Sequence, residues 1–316
     1  MITKSFMKTM SDGAEVWVNR WAPDAEEEIR GVVELHHGLA EHSMRYDRLG
    51  SVLAENGYVL SAHDMRGHGR TAENAASKGT GKFGKLADRD GFERVVEDLR
   101  ELVDSLKAEY PGKKTVLIGH SFGSFVSQGY IERYGGSIDG CILCGTAGPR
   151  PALVFCGKIL ANLYRIFRGA DTEAEALHKA AFGAYTKKID DARTEYDWLS
   201  ADSTNVGMFM DDSWCGRTLT ASFFCDMMHG LSVIHSGKAI SGIPADLPLL
   251  LIYGSDDPVG GYGKSVRKLY DVYRRHGIRN LSIKEYAGDR HEILNEKDKE
   301  QVEGDIMSWI SGIQVK

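Results

Sequence analysis

The stretch KKTVLIGHSFGS, residues 113–124, decides the fold of this chain of 316 residues. A short apolar run rich in β-branched residues ends in Gly119-His120-Ser121-Phe122-Gly123, and apolar residues at helical spacing follow. Strand, tight turn and helix form the context of a nucleophile elbow, whose strained serine needs small neighbours. We therefore predict Ser121 as a nucleophile. The chain contains 36 glycines, so the motif can also arise by chance and needs support from the rest of the sequence.

Composition limits the class of protein. Hydrophobic residues make up 42% and charged residues 27% of the chain, as in ordinary soluble globular proteins. The net charge of −6 argues against a nucleic-acid partner, because phosphate binding needs a basic face. The length allows one large α/β domain with an insertion, or two domains.

The five cysteines are an odd number without framework spacing, which predicts free thiols in a reducing compartment. Cys141 and Cys144 lie within an apolar run, which indicates core packing rather than redox or metal chemistry. The first residues lack the apolar core of a signal peptide, and the longest apolar stretch, 247–253, is too short to span a bilayer. We therefore expect a cytoplasmic protein.

Outside the elbow, strand patterns alternate with helix patterns. A hairpin is predicted over 4–22, strands over 30–38, 57–64, 138–145, 247–254 and 281–286, and helices over 45–56, 90–110, 264–277 and 297–310. A long polar, glycine-rich loop is predicted over 66–84. This alternation indicates an α/β fold with a mostly parallel sheet covered on both faces.

The alternation stops between residues 150 and 236, where helical patterns rich in aromatic residues and methionine replace it. We predict a helical cap, or lid, inserted into a core formed by residues 1–149 and 237–316. Its apolar side chains are expected mainly to pack, and some of them can also face a ligand.

A serine becomes a nucleophile when a base takes its proton and a third group orients that base. Asp256 and Asp257 follow one predicted strand, and His291 follows the last one. The carboxyl ends of parallel strands are where an open α/β sheet places its site. The order Ser, Asp, His is that of the α/β-hydrolases. The histidines without such a position are expected to be structural or solvated: His63, His68, His178, His229, His235 and His276.

A developing oxyanion needs donors. In this architecture they are the backbone N–H of the residue after the nucleophile, here Phe122, and an N–H from the loop after an earlier strand, here Leu39. Two other glycine-rich segments, 67–72 and 259–265, resemble nucleotide-binding loops. The first precedes a segment too polar and glycine-rich for the required helix, and the second lacks a first glycine and an abutting strand. No metal-ligand set of defined spacing emerges, so neither metal nor cofactor is predicted.

In combination these motifs resemble the monoacylglycerol lipase/lysophospholipase-like branch (serine aminopeptidase S33-type) of the α/β-hydrolase superfamily. The matching stretches are HGLAEHSMRY at 37–46, HDMRGHGR at 63–70, GHSFG at 119–123, GSDD at 254–257 and RHE at 290–292. The resemblance implies an α/β-hydrolase fold with an inserted cap that forms the acyl channel. The family's acid falls three residues after its glycine, which favours Asp257 over Asp256.

The resemblance also implies residues at the substrate pocket, for which we expect Glu41, Arg45 and Leu294. Well-studied animal monoacylglycerol lipases carry a histidine at the position of Leu294, so the identity of the ester stays open. The expected function is a serine hydrolase that cleaves carboxylic esters of apolar acyl chains through Ser121, His291 and Asp257. Its expected partner is a small-molecule ester or lipid, with transient contact with a membrane or micelle surface left open.

Two alternatives to an esterase remain. A serine aminopeptidase of the same fold would need carboxylates near the pocket to hold a substrate ammonium group. The inserted segment offers five, at Asp190, Asp191, Asp211, Asp212 and Asp226. The second alternative is a ligand-binding protein that keeps the hydrolase scaffold without turnover.

Overall fold

The computed structural model describes residues 1–313 and contains one sheet of eight strands. The strands are β1 (Ile2–Thr9), β2 (Glu15–Ala22), β3 (Gly31–His36), β4 (Tyr58–His63), β5 (Lys114–His120), β6 (Gly140–Cys144), β7 (Leu249–Gly254) and β8 (Leu281–Tyr286). Their order in the sheet is β1-β2-β4-β3-β5-β6-β7-β8. Only the pairs β1/β2 and β2/β4 are antiparallel. The predicted mostly parallel sheet is confirmed.

Helices connect the strands and cover both faces of the sheet. They are α1 (Asp47–Glu55), α2 (Gly69–Ser77), α3 (Gly91–Glu109), α4 (Phe122–Tyr134), α5 (Pro151–Arg168), α6 (Glu175–Phe182), α7 (Ser203–Asp211), α8 (Ala221–Ile234), α9 (Gly237–Ile240), α10 (Lys264–Arg275) and α11 (Lys299–Gly312). Within residues 1–313, no helix combines the length and the apolar character that crossing a membrane requires.

Two apolar layers sandwich the sheet, which explains why β3 to β7 consist of fully buried residues. One layer contains α3, α4 and α8, and the other contains α1 and α11. Successive side chains of a strand point to opposite faces, so Cys141 faces the first layer and Cys144 faces the second. Both thiols are buried and unpaired, in agreement with the predicted packing role.

The prediction of a loop over 66–84 is wrong in its middle, where α2 forms. Asp64 starts this helix: its Oδ2 accepts the Arg70 N–H at 2.8 Å, and its carbonyl accepts the Thr71 hydroxyl at 2.7 Å. Thr71 and Ala72 are buried, and α2 packs on β2. A polar sequence thus becomes helical because one carboxylate accepts the Arg70 N–H of its first turn and two small side chains are buried.

Between β6 and β7 the chain forms α5 to α9, of which α5 to α8 lie within residues 150–236. Helix α5 packs along α8. Phe209, Phe223 and Phe224 are buried as expected. The packing expectation is wrong for much of α5, whose apolar side chains lie at the surface with exposed fractions of 47% to 79%: Leu153, Phe155, Ile159, Leu160, Leu163, Ile166 and Phe167.

Candidate active site

Ser121 occupies the turn between β5 and α4 with φ 52° and ψ −119°, a conformation that costs a non-glycine residue free energy. Its small neighbours are required sterically. A Cβ on Gly123 would lie 2.1 Å from the His36 carbonyl oxygen, and one on Gly119 would lie 2.3 Å from Ser127 Oγ. The Ser121 N–H donates to the Cys144 carbonyl at 2.9 Å. The two flanking strands therefore hold the turn in this strained state.

His291 and Asp257 follow β8 and β7, respectively, and form a buried pair. His291 Nδ1 lies 3.1 Å from Asp257 Oδ1, which also accepts the Val259 N–H at 2.7 Å. The His291–Asp257 contact is at ion-pair distance without an aligned hydrogen bond, as is common before a substrate tightens a site. Asp257 has no exposed surface, whereas Asp256 is exposed and bonds Ser255.

Ser121 and His291 both line a cavity of about 370 Å³. Leu39 and Glu41 also line it, whereas the Phe122 side chain is fully buried. Ser121 is 8% exposed, so the cavity is its route to a ligand. Most of the lining is apolar and comes from α5, α6, α8 and residue 198, including Val154, Leu160, Ala161, Leu177, Trp198, Phe224 and Met227.

The two predicted oxyanion donors flank Ser121. Phe122 is the first residue of α4, where backbone N–H groups have no partner within the helix. The Leu39 N–H makes no hydrogen bond to any residue in the range 1–313. Gly38 fixes the distance between the two segments, because a Cβ there would lie 3.1 Å from Ser121 Cβ and 2.7 Å from Glu41 Oε1.

Histidine 37 anchors the loop that carries Leu39. Its Nε2 accepts the Met65 N–H at 2.9 Å, and its Nδ1 lies 2.7 Å from the Gly38 carbonyl. A ring with one acceptor and one donor nitrogen is neutral. Burial lowers the pKa of His37 well below its usual value and therefore keeps the ring neutral.

A buried charge network surrounds this loop. Arg45 forms a two-pronged ion pair with Glu292 at 2.5 and 2.7 Å, and contacts Glu41 at 3.1 Å. Glu41 Oε1 accepts the Gly38 N–H at 2.6 Å, which ties the network to the loop that carries Leu39. Burial raises the pKa of Glu41, but His120 and Arg45 outweigh it and leave this pKa well below the usual range.

His120, which the sequence interpretation passed over, joins this network to His291. Its Nδ1 lies 3.2 Å from Glu41 Oε1 and its Nε2 lies 3.3 Å from the His291 carbonyl. Both partners are acceptors, and this arrangement favours the form of the ring in which both nitrogens carry protons. Burial lowers the pKa of His120, but the hydrogen bond and charge of Glu41 outweigh burial and raise it. The sequence feature that could have identified His120 is its position directly before Ser121.

The expected pocket residues lie at different depths. Glu41 lines the cavity, with its carboxylate engaged in the network. Arg45 lies behind this wall, paired with Glu292. Leu294 is a correction: it is buried in the layer that contains α11 and does not line the cavity. Leu294 is the middle residue of a short 3₁₀ turn, Ile293–Asn295, and its side chain packs with residues of α11.

Two histidines expected to be structural or solvated, His178 and His235, line the cavity instead. Long-range contacts also produce a cluster that the sequence spacing could not indicate. His42 Nε2 bonds Asp212 Oδ2 at 2.8 Å, and a cysteine, Cys215, lies beside them within 4.8 Å. Together with the Gly216 N–H bond to the Ala40 carbonyl at 2.9 Å, this contact fastens the loop that carries Leu39 to the inserted segment.

Known proteins are similar in sequence to this chain over nearly its whole length. A monoacylglycerol lipase of Mycolicibacterium smegmatis is 29% identical over 306 residues, which cover 94% of this chain and 93% of the relative. The human monoglyceride lipase is 24% identical over 307 residues, covering 95% of this chain and 88% of that protein.

Solved structures superimpose equally widely. A thermostable carboxyl esterase from Bacillus coagulans, solved in complex with glycerol, matches with a TM-score of 0.89 at 28% identity and covers 100% of both chains. A soluble variant of the Saccharomyces cerevisiae monoglyceride lipase matches with a TM-score of 0.75 at 20% identity, covering 100% of this chain and 97% of that one. This second likeness concerns the fold.

The strand order, the helices on both faces and these superpositions define an α/β-hydrolase. The sequence model of one family within this class, the serine aminopeptidase S33 family, matches residues 27–298. The chain therefore belongs to the S33 family, which confirms the resemblance seen in its motifs.

Proposed function

We propose that the protein is a serine hydrolase of carboxylic esters. The observation that carries this proposal is that one apolar cavity is lined by the strained Ser121 and by His291, which pairs with the buried Asp257. Family membership and the names of the relatives support the same reaction class.

In the proposed reaction, His291 removes the proton of the Ser121 hydroxyl as Ser121 Oγ attacks the ester carbonyl. Asp257 orients the ring and stabilises the imidazolium that forms. The Leu39 and Phe122 N–H groups bind the oxyanion, and each such donor typically lowers the barrier by about 3 kcal/mol. His291 then protonates the leaving alkoxide. Water, activated by the same histidine, hydrolyses the acyl-enzyme and restores Ser121.

The substrate we propose is an ester with an apolar acyl group. The cavity has the size of a small-molecule site and a mostly apolar lining. Two similar proteins are named a monoacylglycerol lipase and a carboxyl esterase, and enzymes of both kinds cleave such esters. The five free thiols in the described chain support a reducing, cytoplasmic location.

Transient contact with a lipid surface is the second part of the proposal. The exposed apolar side chains of α5 form a patch next to the cavity, to which Leu153 and Leu160 belong as lining residues. Exposed apolar patches of this kind commonly bind other surfaces. An acyl chain leaving a bilayer or micelle at α5 would enter the cavity directly.

Aminopeptidase activity is the alternative favoured by the family's description. A peptidase of this kind needs an unpaired carboxylate for the substrate ammonium group. None of the five aspartates expected for this purpose lies among the residues lining the cavity. Of the three glutamates that do, Glu41 and Glu292 are paired with Arg45, and Glu195 is exposed to solvent. The charge arrangement therefore favours the esterase.

Labelling with a fluorophosphonate probe and a substrate panel test the proposal. We expect Ser121 to be labelled, Ser121→Ala to be inert, and p-nitrophenyl acyl esters to be cleaved far faster than amino-acid naphthylamides. The reverse preference would establish the aminopeptidase. A wild-type protein that binds esters but is neither labelled nor active would be a non-catalytic binding protein.

A further inference from the structure

Arg150 lies on the cavity wall, one residue before α5, and is half-buried. Its Nε donates to Ser265 Oγ at 3.1 Å and its Nη2 donates to the Val259 carbonyl. These two bonds fix the plane of the guanidinium group. Its Nη1 makes no hydrogen bond to any residue in the range 1–313. The other two nitrogens hold the guanidinium group in a fixed orientation, so Nη1 can donate to a ligand.

The charge of Arg150 is unbalanced. Within the described chain no carboxylate lies within 4 Å of its nitrogens. The buried carboxylates that line the same cavity, Glu41 and Glu292, both pair with Arg45, and Glu41 also contacts His120. Asp257, connected to Arg150 through Val259, directs its Oδ1 at His291 and at the Val259 N–H. A half-buried cation that faces a mostly apolar cavity is stabilised when an anion pairs with it.

Tyr185 supplies a second donor to the same cavity. Its ring packs against Trp198 at 5.0 Å between centroids, and the residue lines the cavity. The hydroxyl has no hydrogen-bond partner in the part of the chain that the structure describes. Burial raises the pKa of Tyr185 to about 12, against the opposing charge of Arg150, so the hydroxyl stays protonated.

We propose that Arg150 and Tyr185 form a subsite for an oxyanion, a carboxylate or phosphate group carried by the substrate. The guanidinium Nη1 and the phenol hydroxyl would donate to its oxygens while the apolar wall holds the linking chain. This inference rests on the proposed ester hydrolysis. It narrows the substrate class to esters that carry a negative group away from the scissile bond.

The test compares esters of equal length with and without the charge. For the carboxylate, 4-methylumbelliferyl monoesters of adipic, suberic and sebacic acid are compared with their ω-amides. For the phosphate, 1-acylglycerol 3-phosphate is compared with 1-acylglycerol below micellar concentrations. We expect wild-type kcat/KM to favour one charged series by roughly tenfold or more, as for a hydrogen bond to a charged group. The preferred series identifies the group.

Arg150→Met should abolish this preference, mainly through KM, while Arg150→Lys keeps part of it and Tyr185→Phe lowers it severalfold. The matched control is Arg165→Met, since Arg165 is exposed on α5 and does not line the cavity. It should keep the wild-type ratio. A wild-type ratio of one or below in both series would overturn the subsite. Equal losses on charged and neutral esters in Arg150→Met would do the same and assign Arg150 to the support of the Val259 loop.

Binding separates this inference from the proposed hydrolysis. Calorimetry with the Ser121→Ala variant and the preferred monoester measures the subsite without turnover. We expect Arg150→Met in that background to weaken binding roughly tenfold, an effect that does not depend on esterase activity. Unchanged binding would exclude the subsite, whereas absent turnover of neutral esters by the wild type would exclude only the proposed hydrolysis.

Discussion

Asp256 and Asp257 are neighbours in sequence with opposite environments. Asp257 is fully buried 3.1 Å from His291, and Asp256 is exposed and bonds Ser255 Oγ. We expect Asp257→Asn to lower kcat by about 10⁴, because the amide no longer stabilises the protonated base or its orientation. Steady-state kinetics on a short ester measures the loss.

Asp256→Asn is the matched control and should stay within about twofold of the wild type, as for other surface exchanges. Circular dichroism of both variants checks that they fold. A large loss in Asp256→Asn with activity retained in Asp257→Asn would transfer the role to the other carboxylate.

Helix α4 contains a carboxyl group that stays protonated. Glu132 is 8% exposed and its Oε1 has no hydrogen-bond partner among the described residues. Burial raises its pKa to about 9, against the opposing charge of Arg133. The unfolded chain releases this proton near pH 4.5, so stability is full below that pH and is lost as the pH rises toward 9.

We therefore expect Glu132→Gln to gain stability relative to the wild type as the pH rises. The difference in the free energy of unfolding should grow by about 3 kcal/mol between pH 4.5 and 7, at 1.4 kcal/mol per pKa unit. Urea unfolding at both pH values measures it. Glu73→Gln, an exposed exchange on α2, serves as control and should show no such trend. A parallel trend in both variants would contradict the buried, protonated state of Glu132.

Helix α5 leads to a second prediction at this scale. Ile166 and Phe167 are 69% and 79% exposed, so an exchange to serine removes surface apolar area without opening the core. We expect the double variant to bind lipid vesicles at least tenfold more weakly in a sedimentation assay, because full burial of each large side chain is worth about 2 kcal/mol and contact with a lipid surface gains part of that. Its turnover of a soluble ester should persist.

Met208→Ser is the matched control, since Met208 on α7 is 68% exposed and lies outside the α5 patch. Its vesicle binding should equal that of the wild type. Equal losses in both proteins would point to a general surface effect, and no loss in either would remove α5 as the lipid contact.

At the scale of the whole molecule, the five thiols differ in how deeply they are buried. Cys156 is exposed on α5, whereas Cys141 and Cys144 are buried within the sheet, and burial raises the pKa of both. We expect a disulfide reagent to modify one thiol rapidly in the native protein and all five after denaturation. Cys156→Ser should remove the rapid phase. Rapid native modification of this variant at several thiols would contradict the closed packing of the sheet.

Local signals predicted the β5–Ser121–α4 turn and the hairpin at Gly13, because both depend on a few neighbouring residues and on permitted backbone angles. They did not predict α2, because its first turn is satisfied by Asp64 across a loop. They also misassigned Leu294, since the side of the chain on which it is buried depends on where α11 packs.

By itself, the sequence determined the α/β class and the mostly parallel sheet, because local periodicity indicates them. It also determined the order of the candidate triad, because each member directly follows a predicted strand. Only the tertiary structure decided which charges meet. Glu41, Arg45 and Glu292 form one network because a loop near the start of the chain and one near its end meet at the same sheet edge. The unpaired Arg150 and the exposed face of α5 have the same origin: burial and pairing depend on contacts between distant segments, which no local pattern encodes.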